Sequence, residues 1–231
     1  SVLWKGKTLV EYQPEEEKIP ELASPAEPAR DPEKIMTNEE LLLTALHIEQ
    51  HRHATYLPDP YYLEGLKRDS GDIRINNAYG MLLFRRGRFQ ESEKYFRRAI
   101  ERLTWRSPNP YDSEPYYNLG LTLFFQEKRG EAYDAFYKAT WSNEQQEMSF
   151  YYLAAIDAGR GNLEAALSLV EKGLVKNAHN IKARGLKAVL LRKLGKLKEA
   201  QQWVDSNLSL DPFDYLSRFE KAALARETGK N

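Results

Sequence analysis

Histidines and a crowd of lysines are the first residues to test for chemistry. His47 and His51 lie four residues apart, with His53 close behind. On a helix that spacing puts two imidazoles on one face, where they could hold a metal ion. The stretch reads His-Ile-Glu-Gln-His, however, and lacks the Glu that directly follows the first His in helical zinc peptidases. A solvated helix face accounts for it, and no metal or other cofactor is expected. Lys176, Lys182, Arg184, Lys187, Arg192, Lys193, Lys196 and Lys198 crowd one stretch, with Glu199 the lone acid nearby. Nucleic-acid binding would interleave aromatics with such charge on a basic chain. Here the aromatics lie elsewhere, and 34 Lys+Arg balance 34 Asp+Glu, so neither nucleic acid nor a membrane is the expected partner. An acidic protein, or the chain's own acidic connector, suits these cations better. No glycine-rich phosphate loop, serine elbow or paired catalytic carboxylate stands out, and the chain is not expected to be an enzyme by itself. With no Cys, disulfides, thiolate metal sites and a cysteine nucleophile are excluded. No apolar run reaches the roughly 18 residues of a membrane helix, and a cytoplasmic setting is expected.

Three kinds of segment must position whatever does the work. Residues 1–12, with Val2, Leu3, Trp4, Leu9 and Val10, read as a strand or tail of an upstream domain. Ser1 followed by Val-Leu-Trp does not read as a natural start, so a piece of a longer protein is expected. Residues 13–36 space Pro14, Pro20, Pro25, Pro28 and Pro32 among acids and read as an extended acidic linker. Thr37, with Glu40 three residues on, forms a capping box that opens a helical region over 37–231.

Within that region the sequence repeats. A small residue recurs at Gly80, Gly120, Ala154, Ala188 and Ala222, in steps of 40, 34, 34 and 34 residues. An inter-helix glycine recurs at Gly87, Gly161, Gly195 and Gly229, with Glu127 in its place in the second unit. Large apolar residues follow in step, among them Phe96, Phe136, Val170 and Val204. Small residues belong where two antiparallel helices touch most closely, and large ones fill the groove beside them. The predicted units are 73–106, 113–146, 147–180, 181–214 and a partial 215–231, preceded by a degenerate unit over 38–72. The long first step places an insertion in the Pro-rich Trp105–Asp112 stretch.

This pattern of Tyr79-Gly80, Leu119-Gly120, Leu153-Ala154 and their followers closely resembles the tetratricopeptide repeat. The resemblance implies an all-α superhelix of about four and a half regular repeats plus the degenerate one, an α-solenoid whose inner wall is built by the first helix of each pair. It further implies which positions face that groove: Arg74, Asn77, Met81 and Phe84; Tyr117, Asn118, Leu121, Phe124 and Phe125; Met148, Tyr151 and Tyr152; Lys182, Leu186, Val189, Arg192 and Lys193. The expected wall is aromatic in its middle and cationic towards its C-terminal end. Large rigid rings suit a binding face, although the same rings could merely pack helix on helix. The Lys/Asn clamp that chaperone adaptors use is absent, because only Asn118 matches it. A protein or peptide partner, or the protein's own N-terminal domain, is therefore the expected ligand.

A second resemblance covers most of the chain. Thr37-Asn38-Glu39-Glu40-Leu41, Arg102-Leu103-Thr104-Trp105 and Ala132–Trp141 resemble the C-terminal end of large bacterial proteins that carry a β-rich, carbohydrate-enzyme-like region upstream. It implies an accessory role in sugar binding for Trp105, Tyr111 and Trp141. Against it stands the simpler expectation that both tryptophans plug gaps between repeats.

Overall fold

The computed structural model describes residues 1–15, 25, 27–51 and 54–229. His53 and residues 16–24 of the expected linker lie outside them. Two units make up the chain, residues 1–30 and 31–231.

In the first unit, β1 (Val2–Trp4) pairs antiparallel with β2 (Lys7–Val10), matching Leu3 with Thr8 and Trp4 with Lys7. Lys5 and Gly6 both take positive φ, 46° and 77°, as a two-residue hairpin turn requires. The expected single strand is thus a hairpin. All of its residues are exposed.

The second unit begins earlier than the capping box suggests. Pro32–Lys34 forms a 3-10 turn, Ile35 is buried, and Arg68 donates to the Ile35 carbonyl at 2.7 Å. The expected extended linker over 13–36 is therefore corrected at its end: residues 31–35 belong to the helical body. Thr37 Oγ1 then accepts from the Glu40 amide at 3.1 Å, half of a capping box.

Eleven α-helices follow among the described residues, in five antiparallel pairs and one single helix. They are α1 (Asn38–His51), α2 (Asp59–Arg68), α3 (Ile73–Arg85), α4 (Phe89–Thr104), α5 (Glu114–Phe125), α6 (Arg129–Ala139), α7 (Asn143–Gly159), α8 (Leu163–Lys176), α9 (Ile181–Lys193), α10 (Leu197–Leu210) and α11 (Tyr215–Glu227). Consecutive helices pack together, and each odd-numbered helix also touches the next odd-numbered one. The odd helices therefore form one continuous layer, and each even helix packs between its sequence neighbours. This is the α-solenoid expected from the repeat.

The turns explain why the pitch repeats. Within pairs, Gly87, Gly161 and Gly195 adopt φ of 75°, 85° and 76°, a left-handed conformation that costs glycine little. Glu127 holds φ 61° at the equivalent turn of α5–α6. Between pairs, Asp69, Asn177 and Asp211 accept from the amide two residues on, while Asp72, Asn180 and Asp214 cap α3, α9 and α11. Inside each pair a small residue meets a large one. A Cβ built on Gly80 would stand 2.7 Å from Phe96, and one on Gly120 would stand 2.7 Å from Phe136. Both rings are fully buried.

Candidate functional site

The odd helices form the contiguous layer on which the expected groove residues lie. Ala188 and Leu191 of α9 pack in one cluster with Ala200 and Val204 of α10, and Lys187 reaches Glu171 on α8 at 2.8 Å. Lys182, Leu186, Val189 and Lys193, spaced 4, 3 and 4 apart, fall on the opposite side of the same helix. Of these, Lys182 and Lys193 are exposed and Leu186 and Val189 half-buried.

Aromatic rings from α3, α4, α5, α6 and α7 form one connected cluster beside these helices. Phe89 and Phe125 stack at 5.5 Å, Phe124 lies 5.3 Å edge-on to Tyr152, and Tyr151 lies 5.2 Å from Tyr152. Tyr117 stands 6.4 Å from Tyr152, whose ring stacks on the buried Phe136 at 4.8 Å. Phe84 bridges from α3 to Phe125 at 5.5 Å. Arg129 lays its guanidinium over Phe124 at 3.6 Å. Phe84, Tyr117, Phe124, Tyr151 and Tyr152 are all half-buried: one side of each ring packs on the core, the rest meets solvent. The two readings of these rings are thus compatible in space. Burial raises the phenol pKa of Tyr117, Tyr151 and Tyr152, so all three stay neutral hydroxyls at neutral pH.

The polar positions divide. Asn118 is only 3% exposed and donates to Asn77 Oδ1 at 2.9 Å, tying α5 to α3. It braces the wall more than it lines it. Asn77 is half-buried and lines a groove of about 340 Å³ with Leu42, Leu46, Arg74, Met81 and Arg85. The α1 contribution to this groove was not anticipated, since that degenerate unit shows no small-residue mark. Arg74 and Arg85 are ion-paired to Glu39 and Glu49, and Tyr62 also donates to Glu49.

At the other end, the expectation of a wholly cationic wall needs correction. Arg192 is held by Glu220 at 2.7 Å and by Glu227 at 2.5 Å, and its pKa is raised first by the Glu220 hydrogen bond. Glu220 is 2% exposed, so this pair is an internal strut between α9 and α11. Glu220 could have been found by continuing the 34-residue columns into α11. Arg184 is likewise engaged, by Asn207 at 2.8 Å and Ser206 at 2.7 Å. Lys193 remains exposed.

Trp105, Tyr111 and Trp141 are 68%, 96% and 57% exposed, so the tryptophans do not plug gaps between repeats. They sit on the insertion loop and at the α6–α7 corner, where a helix pair has no neighbouring core to bury them. Arg102 and Arg106 lie over Trp105, and Lys138 lies over Trp141 at 3.9 Å. The His47 and His51 rings lie 4.3 Å apart, tilted by 46°, and no group of three or more His, Cys, Asp or Glu suited to a metal occurs among the described residues.

The stacked helix pairs define an α-solenoid. Residues 72–140 match the tetratricopeptide-repeat family model, and the helix pairs on either side continue the same architecture. PilF of Pseudomonas aeruginosa superposes with a TM-score of 0.71 at 19% identity, covering 81% of this chain and 82% of that one. A tetratricopeptide-repeat protein of Parabacteroides merdae gives 0.67 at 16% identity, with coverage of 84% and 74%. YrrB, described as a TPR protein with an unusual peptide-binding site, gives 0.64 at 17% identity, with coverage of 80% and 92%. No described helix is long and apolar enough to cross a membrane.

Proposed function

We propose that the inner face of α3, α5, α7 and α9 binds a peptide, a protein segment or the protein's own upstream domain, and that the chain works as a scaffold. The observation that carries this reading is the half-exposed aromatic run Phe84–Phe124–Tyr152–Tyr151 with Tyr117. Rings already fixed by their packing offer contact area without a large ordering cost. A displayed library of random 12-residue peptides, selected on the 231-residue chain, tests it. Enriched peptides should lose at least tenfold in affinity to Tyr151→Ala and to Tyr152→Ala, each checked for unchanged helix content. Peptides that bind both variants as well as the parent would sink it.

The exposure of Trp105, Tyr111 and Trp141 favours a second reading, in which the repeats contribute sugar contacts to a carbohydrate-active enzyme. Aromatic faces suit sugar rings, but here the flanking cations already occupy part of two of them. A glycan array separates the readings: sugar binding lost in Trp105→Ala or Trp141→Ala supports the second, and an array with no signal removes it.

A further inference from the structure

The charges on the inner face are not evenly compensated. On its N-terminal side Arg74 and Arg85 are neutralised by Glu39 and Glu49. Around α9, Lys187 is paired with Glu171, and Arg192 with Glu220 and Glu227. Lys182 and Lys193 are exposed and have neither an ion pair nor a hydrogen bond among the described residues. They stand at opposite ends of α9, on the one stripe that also carries Leu186 and Val189. At 100° per residue these four side chains share about 60° of arc, and eleven residues of helix separate the lysines by about 16 Å. Leu186 and Val189 are half-buried, and Leu186 packs beside Tyr151 on one cluster. Phe219 of α11, 26 residues beyond Lys193, is 65% exposed. The stripe therefore reads cation, apolar, apolar, cation, and among the described residues no carboxylate pairs with either lysine.

We infer that this stripe selects an extended acidic segment with an apolar centre: carboxylates over Lys182 and Lys193, apolar side chains over Leu186 and Val189. Charge complementarity is the argument. Solvent-facing cations left without acids beside an apolar strip attract acidic ligands and disfavour basic ones. An extended chain advances about 3.3 Å per residue, so acids about five residues apart reach both lysines. The inference rests on the peptide-binding reading above and adds the ligand's charge and spacing. It differs from a chaperone-type clamp, which would need cations where Met148 and Tyr152 stand.

The test uses the full chain and fluorescein-labelled synthetic peptides read by polarisation. One carries two Glu pairs five residues apart around a Leu-Phe centre; its isostere has Gln for every Glu. The acidic peptide should bind at least tenfold tighter at low salt. Lys182→Glu/Lys193→Glu should abolish that preference, while Lys172→Glu/Lys198→Glu, exposed lysines on α8 and α10, should leave it intact. All four sites are exposed, so folding is not at stake, and circular dichroism confirms it. Equal binding of both peptides, lost in Tyr151→Ala, would overturn the charge selection and leave the peptide groove standing. Failure of both peptides to bind would overturn both. Equal loss in the two lysine pairs would mark nonspecific attraction and overturn the site. A dimer that sediments as such and excludes the peptide would put a second copy on this face instead.

Discussion

The first two regular helix pairs and the next two fill the same small-against-large contact with different side chains. In α3–α4 and α5–α6 a glycine faces a fully buried phenylalanine: Gly80 against Phe96, Gly120 against Phe136. In α7–α8 and α9–α10 the same positions, sixteen residues apart, hold Ala154 with Val170 and Ala188 with Val204, again fully or almost fully buried. Where the large partner shrinks, the small one grows. What the repeat requires is a combined volume at the closest contact, and neither residue is specified alone. The polar seams differ too. Pairs α3–α4 and α5–α6 are joined by charge, with Glu93 accepting from Arg97, Lys128 and Gln126 at 2.8 Å each. Further along, amides stand beside the Arg192–Glu220 strut: Asn177 and Asn180 donate to Glu147 at 2.9 and 2.7 Å, and Asn207 donates to the Ser217 hydroxyl at 3.0 Å.

The largest break in this comparison is expected from Phe136→Ala, which empties the contact and should cost about 3–5 kcal/mol in urea unfolding. Gly120→Ala alone should cost about 1–3 kcal/mol by overpacking. Gly120→Ala with Phe136→Val, the solution used in α7–α8, should be clearly more stable than the two single losses added. Strict additivity in that double-mutant cycle would refute compensation of volume.

A smaller effect is expected from acid. Burial tends to raise the Glu93 pKa, but the hydrogen bonds from Lys128, Arg97 and Gln126 outweigh it and hold it down at about 2. A carboxylate depressed in the fold contributes stability above its unfolded value near 4.5 and loses it as pH falls towards 2. Discounted for the solvent around Arg97 and Lys128, the loss is about 1 kcal/mol. Hydrogen exchange between pH 5 and 3 should therefore rise in α4–α5 before α9–α10, and Glu93→Gln should flatten that difference. Simultaneous loosening of all pairs would contradict it.

The smallest effect concerns the turn that departs from the others. Glu127 adopts a left-handed φ of 61° where three sister turns use glycine. Glu127→Gly should raise stability by less than about 1 kcal/mol, the relieved strain partly offset by the freer unfolded chain and the lost Arg129 pair. A fall in Tm would show that the ion pair matters more than the backbone.

Much of this architecture is legible without coordinates, for a local reason. The 34-residue steps from Gly120 to Ala222, the turn glycines and the Asp/Asn pairs at 69/72, 177/180 and 211/214 each act within one turn or one helix pair, so the sequence by itself determined the order of the helices from α3 onward and set the expected inner-face columns. Tertiary structure decided which of those inner-face residues remain available. Arg192 is consumed by Glu220, 28 residues on, and Asn118 by Asn77, 41 residues back, whereas Lys182 and Lys193 are left open. Trp105 and Trp141, large enough to be core, stay in solvent because they fall at a loop and a corner with no core to receive them. Periodicity fixes where a side chain starts. Whether it is neutralised, braced or exposed depends on what the next helix pair places opposite it.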